Sequence, residues 1–145
     1  MQLRLPASTP LGSAHVRQQR ETVTALNAPA AIGPYAQAVR AGGLLFCSGQ
    51  IALDPETGAL VGGDAGEEAR RCLQNLSAVC AAAGTQLREA ARVTIYLIDM
   101  ANFEEVNEVY GSFFAAEPPA RVAVAVAALP MGARVEIDAV VALTD

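Results

Sequence analysis

Only two stretches of this chain have the hydrophobic repeat of an amphipathic helix, whereas about six shorter stretches alternate like strands. The first helix is expected to follow Asp64, a residue type favoured at N-caps, and to end before Gly84. The second covers about residues 102–114 and cannot continue through Pro118 and Pro119. Two helices cannot cover both faces of such a sheet, so we expect them to pack on one face. The uncovered face then predicts oligomerisation or a bound ligand.

The strand-like segments lie on both sides of the two helices. They are residues 22–25, 36–40, 44–48, 92–98, 121–127 and 133–143. The predicted order is therefore β-β-β-α-β-α-β-β, which indicates an α+β fold with a mixed sheet. A length of 145 residues corresponds to one domain, which we assign to residues 21–145.

The composition restricts the chemistry that is available. The chain contains no Lys, so it has neither a Schiff-base lysine nor a P-loop lysine. Its one His is His15, near the N-terminus, which argues against a core histidine base or a His-rich metal site. Chemistry must come from Arg, carboxylates, Tyr, Cys, amides, hydroxyls and the backbone.

Charge is distributed unevenly along the chain, whose net charge is −5. Residues 1–20 hold three Arg and no acid, whereas the remainder holds seven Arg and fifteen acids, a net charge of −8. An acidic body makes nucleic acid an unlikely partner, because phosphates require basic surface. Residues 1–20 lack the apolar core of a signal peptide, so we predict a flexible extension, with an organelle transit peptide as the alternative.

Cysteine content and hydropathy bear on the compartment. The three cysteines, Cys47, Cys72 and Cys80, are an odd number without the spacing of a secreted disulfide scaffold. We interpret them as reduced packing residues of a cytoplasmic protein, with no metal-binding geometry. No apolar run approaches the length of about 18 residues that a membrane-spanning helix needs, so we predict no membrane partner.

Two charged residues are the main candidates for chemistry. Arg121 begins an otherwise uncharged strand, where its planar guanidinium could bind a carboxylate or form a structural salt bridge with a loop acid. Glu136 lies on the polar face of a strand whose reverse face is apolar, and it could act as an acid or base or simply face solvent. If the last two strands formed a simple hairpin, the two residues would not pair. Their meeting would need a twist, a bulge or a neighbouring subunit.

Four further residues are candidates for lining a site. Tyr35 follows the rigid turn Gly33-Pro34, where its ring could line a pocket or cap the core. Ser48 and Gly49 end a strand, and a glycine there permits close approach of the backbone to a ligand. Asn107 interrupts the apolar side of the second helix, where a buried amide must find a hydrogen-bond partner.

Several collinear motifs are similar to those of the RidA/YjgF family of imine deaminases. They are APAAIGPYAQAV at 28–39, FCSGQI at 46–51, DPETG at 54–58, NL at 75–76, DM at 99–100, Phe103 with VNEVY at 106–110, PAR at 119–121, and LP at 129–130 with VEI at 135–137. The resemblance covers residues 22–143, nearly the whole body of the chain.

The resemblance implies a chorismate-mutase-like α+β fold that assembles as a homotrimer with sites between subunits. It further implies hydrolysis of 2-aminoacrylate, 2-iminopropanoate and 2-iminobutanoate, which carry a carboxylate, to 2-oxo acids and ammonia without a metal or other cofactor. Arg121 would hold the substrate carboxylate and Glu136 would position or activate the attacking water. Tyr35, Ser48, Gly49 and Asn107 would line the pocket.

The chain departs from the family pattern at four positions. Val122 and Ala123 replace a frequent Ser-Cys pair, Met131 replaces a frequent Lys, and Glu68 stands where Gln is common. The first two departures bear on pocket shape and substrate range, and they give modest support to an alternative, non-catalytic binding of small carboxylates. An endoribonuclease is a further alternative, which the acidic body disfavours.

Overall fold

Six strands form a single mixed sheet in a computed structural model, which describes residues 19–144. The strands are Glu21–Val23 (β1), Ala38–Ala41 (β2), Leu44–Gln50 (β3), Ala90–Leu97 (β4), Ala120–Ala125 (β5) and Val135–Ala142 (β6). Their spatial order is β1-β2-β3-β6-β4-β5, and all neighbours are antiparallel except β4 and β5. The α+β class and the element order are as predicted, whereas residues 1–18 of the predicted extension lie outside the described residues.

The last two strands do not form the simple hairpin considered above, because β4 lies between them. Residues of β4 pair with β5 on one side and with β6 on the other. The connection between β5 and β6 therefore crosses over β4, which makes β5 an edge strand of the sheet. This arrangement decides where the side chains of the two strands point.

The two helices are α1 (Ala65–Ala82) and α2 (Phe103–Phe113). Asp64 caps α1 by accepting a hydrogen bond from the Glu67 backbone N–H, and Gly84 follows the helix end with φ 79°, as the sequence predicted. Both helices pack on one face of the sheet. The core there includes fully buried side chains from α1, β4 and β6, namely Cys72, Leu73, Leu76, Val79, Cys80, Val93, Ile95, Leu97, Val135, Ile137 and Val141.

The opposite face of the sheet, here termed the open face, has no helix over it among residues 19–144. Phe46 of β3 and Val122 and Val124 of β5 expose 46%, 45% and 38% of their surface. Alternation along β5 places these valines away from the helices, so the apolar side of this strand is its uncovered side. The prediction that one face stays uncovered is confirmed. In the described part of the chain, no helix is both long and apolar enough to cross a membrane.

Candidate functional site

A cavity of about 460 Å³ lies between the loop before β2, the end of β3 and the start of β6. Four of the six residues predicted from the sequence line it, namely Tyr35, Ser48, Gly49 and Glu136. Its volume falls in the range of ~300–1,000 Å³ that is typical of small-molecule sites. The cavity is therefore the candidate site within this chain.

Gly49 lies directly against the Glu136 carboxylate. The β3–β6 register shifts between Cys47 and Gln50, so Gly49 belongs to a bulge beside β6. A Cβ atom at position 49 would lie only 2.9 Å from both Cδ and Oε1 of Glu136. The group that lies close to the Gly49 backbone is therefore the Glu136 side chain of the same chain, whereas the sequence predicted a ligand.

Glu136 is half-buried on the open face, as the alternation of β6 predicted. Burial raises the pKa of its carboxyl above the ordinary value, and the nearby negative charge of Asp138 raises this pKa further. Asp138 in turn accepts a hydrogen bond of 2.8 Å from the Tyr96 hydroxyl. Glu136 therefore takes up a proton more readily than an exposed glutamate does.

Tyr35 and Ser48 are held in place by backbone groups. Tyr35 is 51% exposed, so it lines the cavity and does not cap the core, and its hydroxyl accepts a hydrogen bond from the Ile32 N–H. The Ser48 hydroxyl donates to the Ala36 carbonyl at 2.6 Å. The Ser48 hydroxyl oxygen can still accept a hydrogen bond from a ligand.

Gln37 positions the loop that carries Tyr35, a role that the sequence reasoning missed. Its buried side chain accepts a hydrogen bond from the Ala25 N–H at 2.6 Å and donates to the carbonyls of Ala25 and Pro29. The signal in the sequence was an amide between the apolar residues Ala36 and Ala38, since such an amide must be hydrogen-bonded when buried.

Arg121 and Asn107 lie together at a separate place, beside α2. The Arg121 Nη1 donates to the Asn107 Oδ1 at 2.6 Å, and the guanidinium carbon lies 4.9 Å and 5.4 Å from the ring centroids of Tyr110 and Phe103. Arg121 forms no salt bridge within residues 19–144, so the alternative of a structural ion pair with a loop acid is wrong for this part of the chain. Its remaining N–H groups point to no acceptor among these residues.

Asn107 is exposed and does not lie in the core, which corrects the interpretation of a buried amide. Asn107 directly follows the fully buried Val106 in α2, and its side chain lies on the solvent-exposed side of the helix. Its amide oxygen orients Arg121 without neutralising the positive charge. The Asn107 amide therefore has a hydrogen-bond partner because it contacts Arg121, and not because it is buried.

Within one subunit, Arg121 and Glu136 lie on opposite faces of the sheet. Arg121 is in register with Val93, whose side chain is fully buried beneath the helices, whereas Glu136 is in register with Tyr96 on the open face. Three positions along β4 and two strand spacings separate their Cα atoms, roughly 14 Å in sheet geometry. Within this chain, the two residues therefore cannot act on one small molecule together.

The family description called Endoribonuclease L-PSP matches residues 25–143. The chain belongs to this family. It is the RidA/YjgF family that the motifs resemble. The chain is 46% identical over 121 residues to a mouse protein named 2-iminobutanoate/2-iminopropanoate deaminase, covering 83% of this chain and 90% of the mouse protein.

Two further relatives match nearly the same part of the chain. A RutC family protein of Sinorhizobium fredii is 47% identical over 124 residues, covering 86% of this chain and 98% of its own. The structure of Escherichia coli TdcF, solved with bound serine, aligns with a TM-score of 0.81 at 36% identity and covers 86% of this chain and 99% of TdcF. These relatives establish the RidA fold and family for this chain, and the names of these two proteins state no activity.

Other reactive groups of this RidA-family chain lie outside the cavity. All three cysteines are buried and unpaired, and burial raises the pKa of the Cys72 thiol. Among residues 19–144, no three His, Cys, Asp or Glu side chains converge as a metal site requires. Met131 does line the cavity, although the sequence reasoning treated it only as a departure from the family pattern.

Proposed function

We propose that this RidA-family protein hydrolyses 2-imino acids and their enamine tautomers, such as 2-iminopropanoate and 2-iminobutanoate, to 2-oxo acids and ammonia. The proposal further places the reaction in a cytoplasmic homotrimer, without a cofactor. The observation that carries it is the division of the candidate residues between two outward-facing half-sites, one with the Arg121 guanidinium and one with the Glu136 carboxylate. Two copies of the chain can complete the site, because each supplies the half that the other lacks.

In this proposal, Arg121 of one copy holds the substrate carboxylate against the cavity of its neighbour. Two parallel N–H···O bonds from a guanidinium hold a carboxylate in one plane. Asn107 already occupies one side of the guanidinium, which leaves the other side for the substrate. The tyrosine and phenylalanine rings beside the guanidinium limit its movement and so reduce the cost of ordering it.

Glu136 then orients a water molecule toward the imine carbon. As the water oxygen bonds to that carbon, Glu136 accepts a water proton and passes it to the imine nitrogen, which gives a carbinolamine. Glu136 then takes the hydroxyl proton and transfers it to the amino nitrogen, so that the C–N bond breaks and ammonia leaves as the C=O bond forms. The raised pKa of Glu136 favours this exchange, because the carboxyl group both accepts and returns a proton.

The experiment is a competition between the protein and semicarbazide for imines that an amino-acid oxidase generates. We expect the wild type to divert the imine from the trap and Arg121→Ala to lose at least about 100-fold in kcat/KM, since two charge-assisted hydrogen bonds are removed. Arg88→Ala is the matched control, because Arg88 is exposed and its one salt bridge is a 3.7 Å contact with the neighbouring Glu89.

Two results would contradict the proposal. If Arg121→Ala were as active as Arg88→Ala, the assigned carboxylate site would be wrong. If the wild type bound a 2-oxo acid without accelerating imine decay, the protein would be a non-catalytic carboxylate binder. RNA cleavage that survived Arg121→Ala and repeated purification would instead support the activity named in the family description, against the net charge of −8 over residues 21–145.

A further inference from the structure

Both polar and apolar side chains line the cavity. Glu136 is the one charged side chain among them. The apolar part of the cavity wall includes Ile32, Leu53 and Met131. Its volume of about 460 Å³ lies in the range of small-molecule sites.

Met131 is held in an unfavourable backbone conformation at this wall. Its φ is 58°, and it is the one non-glycine residue with a positive φ among residues 19–144. The left-handed conformation is unfavourable for a residue with a β-carbon. Because 58% of the Met131 surface is exposed, core packing does not account for this position.

The chain that follows Met131 is anchored by Arg134. Arg134 donates from its backbone N–H and its Nε to the two carboxylate oxygens of Glu68 at the start of α1, and from Nη2 to the Gly63 carbonyl. Glu68 is buried, so this contact fixes the loop to the helix layer. Backbone strain that surrounding contacts maintain is found most often at functional sites.

Ile32 lies in the opposite loop and is 71% exposed, although it too lines the cavity. Exposed apolar side chains on two loops that border one cavity are suited to contact an apolar ligand group. A carboxylate side chain would meet the negative charge of Glu136 without a cation lining the cavity to balance it.

We propose that the substrate side chain lies between Met131 and Ile32, and that the protein prefers 2-imino acids with long aliphatic or thioether side chains over those with a methyl group. This inference rests on the proposed function, since the carboxylate and imine of the substrate must be held by Arg121 and Glu136. Met131 is then a specificity-determining residue, and it takes no part in proton transfer.

The test compares imines generated by an amino-acid oxidase from leucine, methionine and alanine in the semicarbazide competition. We expect kcat/KM of the wild type to be at least about tenfold higher for the leucine and methionine imines than for the alanine imine. Met131→Asn should remove about tenfold from the first two and less than about twofold from the third, because a polar side chain replaces the apolar contact.

Asn is chosen because it tolerates a positive φ, so the loop keeps its conformation. Met131→Gly, which removes the side chain and the strain together, should show the same selective loss. Met100→Asn is the matched control, since Met100 is 44% exposed and does not line the cavity.

Equal wild-type activity on all three imines, or an equal loss on all three in Met131→Asn and Met131→Gly, would overturn the inference and leave the proposed function standing. If the wild type hydrolysed none of the imines, including that of alanine, the proposed function would fail and this inference with it.

Discussion

Glycine at position 49 leaves the space that the Glu136 carboxylate occupies. The contact that a Cβ atom would make, 2.9 Å to Cδ and Oε1, is shorter than van der Waals packing allows. The backbone φ of Gly49 lies outside the left-handed region, so conformational freedom is not the reason for glycine here. Glycine occupies position 49 because a Cβ atom there would overlap the Glu136 carboxylate.

Gly49→Ala is therefore expected to displace the Glu136 side chain. Under the proposed function, kcat/KM should fall at least about tenfold, because the water would lose its orientation. The free energy of unfolding should fall by less than about 1 kcal/mol, because the displaced atoms are the end of a flexible, half-buried side chain. The imine competition assay and chemical denaturation measure the two effects separately.

Gly111→Ala is the matched control for that substitution. Gly111 lies in α2, where a Cβ atom would meet nothing within 4 Å. Alanine there should leave activity unchanged and stabilise the helix by up to about 1 kcal/mol. If Gly49→Ala behaved like Gly111→Ala in both measurements, close packing of Gly49 against Glu136 would be refuted.

The residue types predicted which side chains take part in the site better than they predicted whether each side chain is buried. The half-buried polar position of Glu136 followed from strict alternation along one strand. Asn107 was wrongly assigned to the interior, because one residue on a helix corresponds to a rotation of about 100° and can exchange a buried position for an exposed one.

At the scale of elements, a single side chain ties the loop before β2 to the chain after β1. Gln37 makes three hydrogen bonds, to the N–H and carbonyl of Ala25 and to the carbonyl of Pro29, while it is 5% exposed. The loop between these partners carries Tyr35 and Ile32, both of which line the cavity. The shape of the cavity therefore depends on this amide.

Gln37→Ala should lower the free energy of unfolding by about 3 kcal/mol, because buried backbone groups lose their partners. Under native conditions, backbone amides in residues 25–36 should exchange hydrogen faster in this variant than in the wild type. The reason is that local opening of the loop needs less free energy than global unfolding. Denaturant titration and native-state hydrogen exchange measure the two effects.

Gln74→Ala provides the control, because Gln74 is exposed on α1 and alanine favours helix. It should leave both stability and exchange near the wild-type values. Exchange in residues 25–36 that stayed as slow in Gln37→Ala as in Gln74→Ala would show that other contacts hold the loop.

At the scale of the whole molecule, the open face is the surface that an isolated chain leaves without a partner. Phe46, Val122 and Val124 expose large apolar side chains there, close to polar groups that include Glu136. Apolar patches of this kind mark interaction sites. In the proposed trimer, the same contact would cover this face and bring Arg121 of one copy to the cavity of the next.

Val124→Glu should therefore weaken assembly, since a charge would be buried in the contact. We expect sedimentation to report a trimer for the wild type and smaller species for the variant, with loss of imine hydrolysis and unchanged far-UV circular dichroism. Ala81→Glu adds the same charge on the exposed side of α1 and should remain trimeric and active. A trimeric, fully active Val124→Glu protein would contradict the proposed interface.

By itself, the sequence determined the order of the elements, the two ends of α1, the hydrophobic repeat of the helices and the acidic character of residues 21–145. These are properties of local spacing and composition, which neighbouring residues decide. Only the tertiary structure decided that β4 separates β5 from β6, and hence that Arg121 and Glu136 face opposite sides of the sheet. Strand pairing depends on which distant segments bury one another's apolar surface, and the spacing of residues along the chain does not specify this.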